Sequence, residues 1–231
     1  MEQDLRDALA KIYELVAVKT DALEKEIKKI SEETTTKKFL NKEFFELNGA
    51  DTFVKLKANS FGIGKVQFAF VKFDKITNKL LSSMDVYLDM EDALVLANDI
   101  LSGRIAALAE AEKAKGAQYP GAIWNSGLGG VSEEKAKNRG LRNDGKAISR
   151  MFTLAPGSRQ PFVFTAEQRP GKTDSKGLIV PEYSSKPEVQ IRVPGSADEL
   201  KKMAVAIQSN IIAYRAGQYA NKEFDVDPTT K

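Results

Sequence analysis

The chain has no cysteine and no histidine among its 231 residues. Lack of cysteine excludes disulfide bonds and thiolate metal sites, and lack of histidine excludes histidine-bound zinc and nucleophiles activated by histidine. No apolar run approaches the roughly 20 residues of a membrane-spanning helix, and the first residues lack the basic and then apolar pattern of a secretory signal. We therefore expect a cytoplasmic protein with no membrane contact, and we expect neither a cofactor nor a bound metal.

What the chain does contain is one apolar pattern that occurs twice, about 105 residues apart. Apolar residues first alternate, as on one side of a strand, and then recur at steps of three and four, as on one stripe of a helix. The first copy consists of Met84, Val86, Leu88, Leu94, Ala97, Leu101, Ile105 and Leu108, and the second of Val189, Ile191, Val193, Leu200, Met203, Ile207, Ile211 and Tyr214. The second helix begins with a predicted capping box, Ser196 to Glu199. The pattern indicates an internal duplication.

Further strand-like runs precede each copy, and glycine or proline turn signals separate them. Each half then has the order β-β-β-β-α, which predicts an α+β fold of antiparallel sheets, each braced by a helix, as an intrachain pseudo-dimer. The predicted strands upstream are 42–47, 52–58 and 65–73, then 150–155, 160–168 and 177–183. The predicted organisation is a helix at 1–36, a first unit at 37–115, a connector at 116–147, a second unit at 148–220 and a flexible tail at 221–231.

Positive charge is concentrated in the strand regions. Residues 37–80 hold nine lysines and four acids, and residues 113–192 hold fourteen basic and seven acidic residues, whereas residues 81–112 hold one basic and seven acidic residues. Segregated positive charge is typical of a nucleic-acid groove, because neutralising phosphates releases condensed counterions. The alternative is that these lysines only keep strand edges soluble.

Aromatic residues lie among these cations. Bases of a single strand stack on such rings while cations follow the backbone, although most phenylalanines on alternating strands belong to a core. Tyr87 and Arg192 occupy matching outward positions of the two repeated strands, and Lys55 and Lys57 should point away from the core. The predicted nucleic-acid-binding residues are Lys55, Lys57, Lys65, Lys72, Lys75, Tyr87, Trp124, Arg159, Arg169, Lys172 and Arg192.

Two segments carry a family resemblance: Lys65 to Lys75, KVQFAFVKFDK, and Ser83 to Ile100, SMDVYLDMEDALVLANDI. Together they resemble the positive cofactor four and Whirly type of single-stranded-DNA-binding domain. The resemblance covers roughly residues 40–110 and, through the duplication, 150–217. It implies a curved four-stranded sheet, a helix on its back and a basic strand face that binds unpaired nucleic acid. Two units in one chain agree better with the Whirly layout, but the Lys-Gly-Lys-Ala-Ala-Leu strand motif of that family is absent.

The connector at 116–147 contains seven glycines and several cations, and this composition predicts a mobile segment without packed elements. It is either a basic loop that closes over a bound strand, with Trp124 stacking on a base, or a linker whose tryptophan covers an apolar patch.

The first 33 residues predict an amphipathic helix with apolar residues every seven positions from Leu9 to Ile30. This helix either packs on the chain's own sheet or contacts a partner, as in a homo-oligomer.

A magnesium cluster of Asp85, Asp89, Glu91 and Asp92 is disfavoured, since helix capping explains most of these acids. The sequence therefore predicts a non-enzymatic single-stranded-DNA-binding protein, serving replication or recombination in a bacterium, phage or mobile element, with RNA binding as a near variant. The alternative is an interaction or structural protein whose duplicated sheets bind protein.

Overall fold

The computed structural model describes residue 25 and residues 42–221. The chain divides into two units, Met1–Lys42 and Glu43–Lys231, and both sheets with their helices belong to the second. The predicted first helix and its heptad pattern, and the tail beyond residue 221, lie outside the described residues.

The first sheet is a four-stranded antiparallel meander with the strands side by side in chain order. Its core-facing side is built by alternation: Val54 and Leu56 are buried, and they pair with Phe70 and Phe68 on the next strand. A 3-10 turn at Phe61–Ile63 connects the second and third strands. The strands are β1 (Glu43–Asn48), β2 (Thr52–Lys57), β3 (Lys65–Phe73) and β4 (Leu80–Asp89).

Two helices follow this sheet, α1 (Met90–Leu101) and α2 (Arg104–Ala114). The chain breaks between them at Gly103, whose φ of 82° lies in the left-handed region that favours glycine. The prediction of one helix with Leu94, Ala97, Leu101, Ile105 and Leu108 on its buried side is wrong. Leu101 and Leu108 are exposed, and Leu94 is only partly buried. The residues of α1 that face the core are Met90, Ala93, Leu96, Ala97 and Ile100.

A second sheet and a short helix follow α2. The elements are β5 (Trp124–Asn125), β6 (Gly130–Val131), α3 (Glu133–Asn138), β7 (Ala147–Pro156), β8 (Phe162–Thr173), β9 (Ile179–Pro181) and β10 (Val189–Gly195). The sheet has the order β10-β8-β7-β5, with β6 beside β7 and β9 beside β8. The prediction that residues 116–147 form a mobile connector without packed elements is wrong, because this segment contains two short strands and a helix. Its strands are held by β7, which supplies backbone partners along one edge.

The last helix, α4 (Ala197–Asn221), begins with the predicted capping box. The Glu199 carboxylate accepts hydrogen bonds from the backbone N–H and the hydroxyl of Ser196, both at 2.7 Å, and the Glu199 N–H donates to the Ser196 hydroxyl at 3.2 Å. The capping-box prediction is confirmed. The predicted stripe is also correct for Leu200, Met203, Ile207 and Ile211, which are buried.

Both sheets and the helices α1, α2 and α4 share one hydrophobic core. Phe152 of β7 lies at its centre, with ring centroids 4.8 Å from Phe68, 5.4 Å from Phe70 and 6.0 Å from Phe164. The α+β class with antiparallel sheets is thus confirmed. Among the described residues, no helix is long and apolar enough to cross a membrane.

Candidate functional site

The outer face of the first sheet carries three of the predicted lysines, and each has a carboxylate partner. Lys55 Nζ lies 3.0 Å from Glu43 and 3.2 Å from Glu46, and Lys57 Nζ lies 3.2 Å from Glu43. Lys65 Nζ lies 2.7 Å from Asp89. Hydrogen bonding by Lys55 and Lys57 lowers the pKa of Glu43, so this carboxylate is charged at neutral pH. The sheet face therefore has little uncompensated positive charge.

Three other predicted binding residues do not lie on the outer face of the first sheet. Lys72 lies on the core-facing side of β3, two residues after Phe70, and it pairs with the buried Thr52. Lys55 and Lys57 pair with Ala69 and Gln67, whose side chains lie on the opposite side of β3. Lys75 lies in the turn after β3. Trp124 packs on Phe152 with centroids 5.2 Å apart, which favours the alternative in which its ring covers an apolar patch.

On the second sheet, Arg169 and Arg192 belong to the outer face. Arg169 donates to Glu167 at 3.0 Å and lies over the Tyr183 ring, with its guanidinium carbon 5.8 Å from the centroid. Arg192, opposite Thr165, is exposed and makes no ion pair within residues 42–221. Arg159 is exposed in the turn between β7 and β8, and Lys172 is exposed near the end of β8.

A groove lies where β4, the edge strand of the first sheet, faces the segment 126–131 and β7 of the second sheet. This junction groove has a volume of about 710 Å³, within the range of known ligand sites. Four cations and Tyr87 line it together with three aspartates and backbone. The lining residues are Ile63, Lys65, Asp85, Val86, Tyr87, Leu88, Asp89, Asp92, Ser126, Gly127, Leu128, Gly129, Gly130, Val131, Lys135, Arg139 and Arg150.

One wall of the junction groove is the glycine-containing edge of the second sheet. The N–H of Ser126 donates to Phe152 and the N–H of Arg150 donates to Gly129, both at 2.9 Å, so the segment stays against β7 between its two short strands. At Gly130 a Cβ atom would lie 1.9 Å from the Ile148 oxygen, and φ is 145°. Only glycine permits this close approach.

Helix α3 positions two further cations over the junction groove. Ala136 is fully buried, and Glu133 accepts hydrogen bonds from the N–H and hydroxyl of Thr173, which holds the helix against β8. Lys135 and Arg139 are four residues apart and therefore point to the same side. Both are exposed and neither makes an ion pair within the described residues.

Arg150 enters the junction groove from β7. Its Nε donates to the Gln168 side chain at 2.9 Å, which orients the guanidinium and leaves its terminal nitrogens without a hydrogen bond among the described residues. Burial raises the pKa of the Tyr87 hydroxyl, and the nearby Asp85 carboxylate adds to this rise while Arg150 opposes it. The hydroxyl is thus neutral at neutral pH, and the ring, which is 46% exposed, is a neutral apolar surface beside cations.

No family model, curated protein or solved structure matches this chain. The chemistry of the junction groove therefore rests on its own residues.

The junction groove can hold an anion chain and a flat ring together. Lys135, Arg139 and Arg150 make no ion pair within the described residues, whereas Lys65 is paired with Asp89. Among residues 42–221, no three acids are arranged to hold a metal ion. Asp85 and Asp92 are instead acceptors for amino groups, such as those on base edges.

A second hollow, of about 470 Å³, lies beside Arg142. This cation is matched by Asp144 at 2.7 Å and Glu188 at 2.8 Å, and its hydrogen bonds lower the pKa of Asp144 to about 2. Arg142 therefore connects the loop that contains Asp144 to the loop that contains Glu188. Because these two carboxylates compensate its charge, Arg142 is a poor candidate for binding a phosphate.

Of the residues predicted for the site, the junction groove brings together Lys65 and Tyr87 alone. The predicted site residues did not include Lys135, Arg139 or Arg150, although the first two belong to the basic connector that was expected to close over a bound strand. A signal for the first two was present: Ser132, followed by two glutamates, marks a helix start, and the two cations follow at helical spacing.

Proposed function

We propose that this protein binds single-stranded nucleic acid, DNA in the first instance, along the junction groove. The observation that carries the proposal is the exposed side chain of Tyr87, on the first sheet, in one groove with unpaired cations from α3 and β7. A base would stack on the ring, at roughly 1 to 3 kcal/mol, while Lys135, Arg139 and Arg150 contact the backbone phosphates. No step of chemistry is needed, so the proposed activity is binding without catalysis.

We also propose that the chain is a duplicated β-β-β-β-α pseudo-dimer, related in layout to the positive cofactor four and Whirly type. In support, the path β5-β7-β8-β10 repeats the order of β1-β2-β3-β4, and each path ends in a helix. This path differs from the predicted second unit, because it takes β5 from the predicted connector, and the predicted strand 177–183, which corresponds to β9, lies off it. The buried residues of the two helices also correspond, at steps of three, one and three. These are Ala93, Leu96, Ala97 and Ile100 in α1, and Leu200, Met203, Ala204 and Ile207 in α4.

Contacts between the halves support the pseudo-dimer further. β4 packs against β7, and its counterpart β10 packs against β2, the counterpart of β7, while α1 and α4 pack on each other. Such reciprocal contacts are typical of a two-fold interface. One connection of this kind is the Thr52 hydroxyl, which donates to the Arg192 carbonyl at 2.8 Å.

The test is a titration with fluorescent poly-dT, duplex DNA and single-stranded RNA at several salt concentrations. We expect poly-dT to bind more tightly than duplex, since stacking needs exposed base faces. Changing Lys135→Glu should weaken binding and flatten the log-log salt dependence by about 0.7 for each phosphate that is no longer neutralised. Tyr87→Ala should weaken binding with little change in the salt dependence.

Matched controls come from the same chain. Lys137 is exposed on helix α3 but does not line the junction groove, so Lys137→Glu makes the same charge change and should leave both affinity and salt dependence nearly unchanged. Tyr119, 82% exposed, is the control for Tyr87. Equal effects of Lys135→Glu and Lys137→Glu would remove the junction groove as the site. Absence of binding to every nucleic acid would leave the protein-interaction alternative.

A further inference from the structure

The turn that joins β3 to β4 exposes apolar side chains. Ile76 is 93% exposed, and Leu80 and Leu81 are 63% and 58% exposed. Single apolar residues are common on surfaces, but three exposed ones within six positions concentrate apolar surface at this end of the hairpin. We call residues 74–81 the hairpin tip.

The conformation of the hairpin tip is fixed by its own hydrogen bonds. The Asp74 carboxylate accepts from the N–H groups of Ile76 and Thr77, at 2.9 and 2.8 Å, and from the Thr77 hydroxyl at 3.0 Å. The Asp74 N–H donates to Lys79, and the Asn78 N–H donates to Asp74, both at 2.8 Å. The tip is therefore ordered in advance, so that binding would cost little conformational entropy.

Cations surround the apolar point. Lys75 and Lys79 flank Ile76, both are exposed, and neither makes an ion pair with a described residue. Asp74 is the one acid of the hairpin tip, and its carboxylate is turned into the loop by its hydrogen bonds to Ile76 and Thr77. The hairpin tip thus presents one exposed apolar side chain, Ile76, next to two lysines. The apolar side chain is suited to contact stacked bases, and the lysines are suited to contact the phosphates beside them.

We infer, on the basis of the proposed function, that the hairpin tip inserts Ile76 between base pairs at a junction of single- and double-stranded nucleic acid. Isoleucine is one of the side chains that act as wedges between base steps in other proteins. Strand β4 leads from the tip to Tyr87, a distance of roughly 23 Å at about 3.3 Å per residue. At the stacked spacing of about 3.4 Å for each nucleotide, a single strand of about seven nucleotides would span the length of β4 from Leu80 to Tyr87.

The experiment compares a DNA hairpin with a single-stranded dT tail, the tail alone and a blunt duplex. The full chain should bind the tailed hairpin about tenfold more tightly than the tail, a difference of roughly 1.4 kcal/mol. Ile76→Ala should remove this preference and leave affinity for the tail unchanged. A 2-aminopurine at the junction should brighten with the native chain, because unstacking relieves quenching, and should stay dim with Ile76→Ala.

Ile212→Ala, at a 61% exposed position of α4, is the matched control and should behave like the native chain. Far-ultraviolet circular dichroism checks that each variant is folded. Tail binding without a preference for the junction, or a preference that survives Ile76→Ala, would overturn the wedge and spare the proposed function. No binding to any nucleic acid would overturn both.

One further outcome would reassign the hairpin tip. If vesicles of phosphatidylcholine and phosphatidylserine bind the native chain but not Ile76→Ala, and the junction preference is absent, the tip contacts a lipid surface and the wedge is wrong.

Discussion

The outer faces of the two sheets differ in what their cations can do. On the first sheet, register places Glu46 opposite Lys55, and Lys65 opposite Asp89, so the positive charge of these two lysines is compensated across the strands. On the second sheet, Arg192 stands opposite Thr165, and no acid matches it among the described residues. Charge in a sequence segment therefore measures binding potential only after strand pairing is known.

The largest expected effect comes from the core that the two halves share. Phe152→Ala should lower the free energy of unfolding by about 3 to 5 kcal/mol, because it leaves a cavity against rings from both sheets. Urea unfolding should still give one transition, coincident by circular dichroism and Trp124 fluorescence. Phe44→Ala, at a half-buried aromatic of β1, is the milder counterpart. Two separate transitions in the native chain would mean that the halves are independent domains.

An intermediate effect on the free energy of unfolding is expected at the N-termini of α4 and α1, and it should differ between these two helices. Ser196→Ala removes the hydroxyl of a complete capping box and should cost about 1 kcal/mol. Asp89→Ala, at the start of α1, should cost less, because Asp89 makes no side-chain hydrogen bond to that helix and acts through the helix dipole and Lys65. Chemical denaturation of both variants measures the difference, and a larger loss for Asp89→Ala would contradict it.

The smallest effect concerns the paired lysines of the first sheet. Glu43→Gln should change the free energy of unfolding by less than about 1 kcal/mol, since the pairs are partly solvated. Because the pKa of Glu43 is lowered in the folded state, its stabilisation is present above the ordinary glutamate range and is lost as the pH falls through the lowered pKa. The variant should lack this component of the acid dependence.

Glu43→Gln also removes the carboxylate partner of Lys57 and one of the two carboxylate partners of Lys55, which keeps Glu46. The proposed binding to poly-dT should then become tighter and steeper in salt. Glu110→Gln, which breaks an exposed pair with Lys113 on α2, should change neither. If both variants behave alike, pairing across the first sheet does not limit its affinity.

Alternation and turn residues were sufficient to predict most strands, because one side of each strand is buried. The predicted run 65–73 coincides with β3, and Val54 and Leu56 are buried as expected. Periodicity failed for α1, which packs against α4: its buried side includes Ala93 and Ala97, and larger neighbours such as Leu94 and Leu101 lie outside the buried stripe. Close packing of two helices selects small residues, which a pattern based on hydrophobicity undervalues.

The candidate site was less predictable than the fold. Its cations come from α3 and β7, and its aromatic ring from β4, so tertiary structure assembles what is separated by roughly fifty to sixty residues in the sequence. Composition suggested a flexible connector there. Gly130 instead permits close contact, since its backbone lies against the Ile148 carbonyl.

The interrupted edge formed by β5 and β6 has a consequence for solubility. A continuous edge strand exposes a row of backbone donors and acceptors, on which another chain can add a strand and begin aggregation. Here the exposed residues Gly127 and Leu128 separate two strands of two residues each, with Gly127 in the left-handed region at φ 75°. An irregularity of this kind breaks the hydrogen-bonding register that an incoming strand would need. The same glycines that shape a groove wall therefore also protect this edge of the sheet against the addition of a strand from another chain.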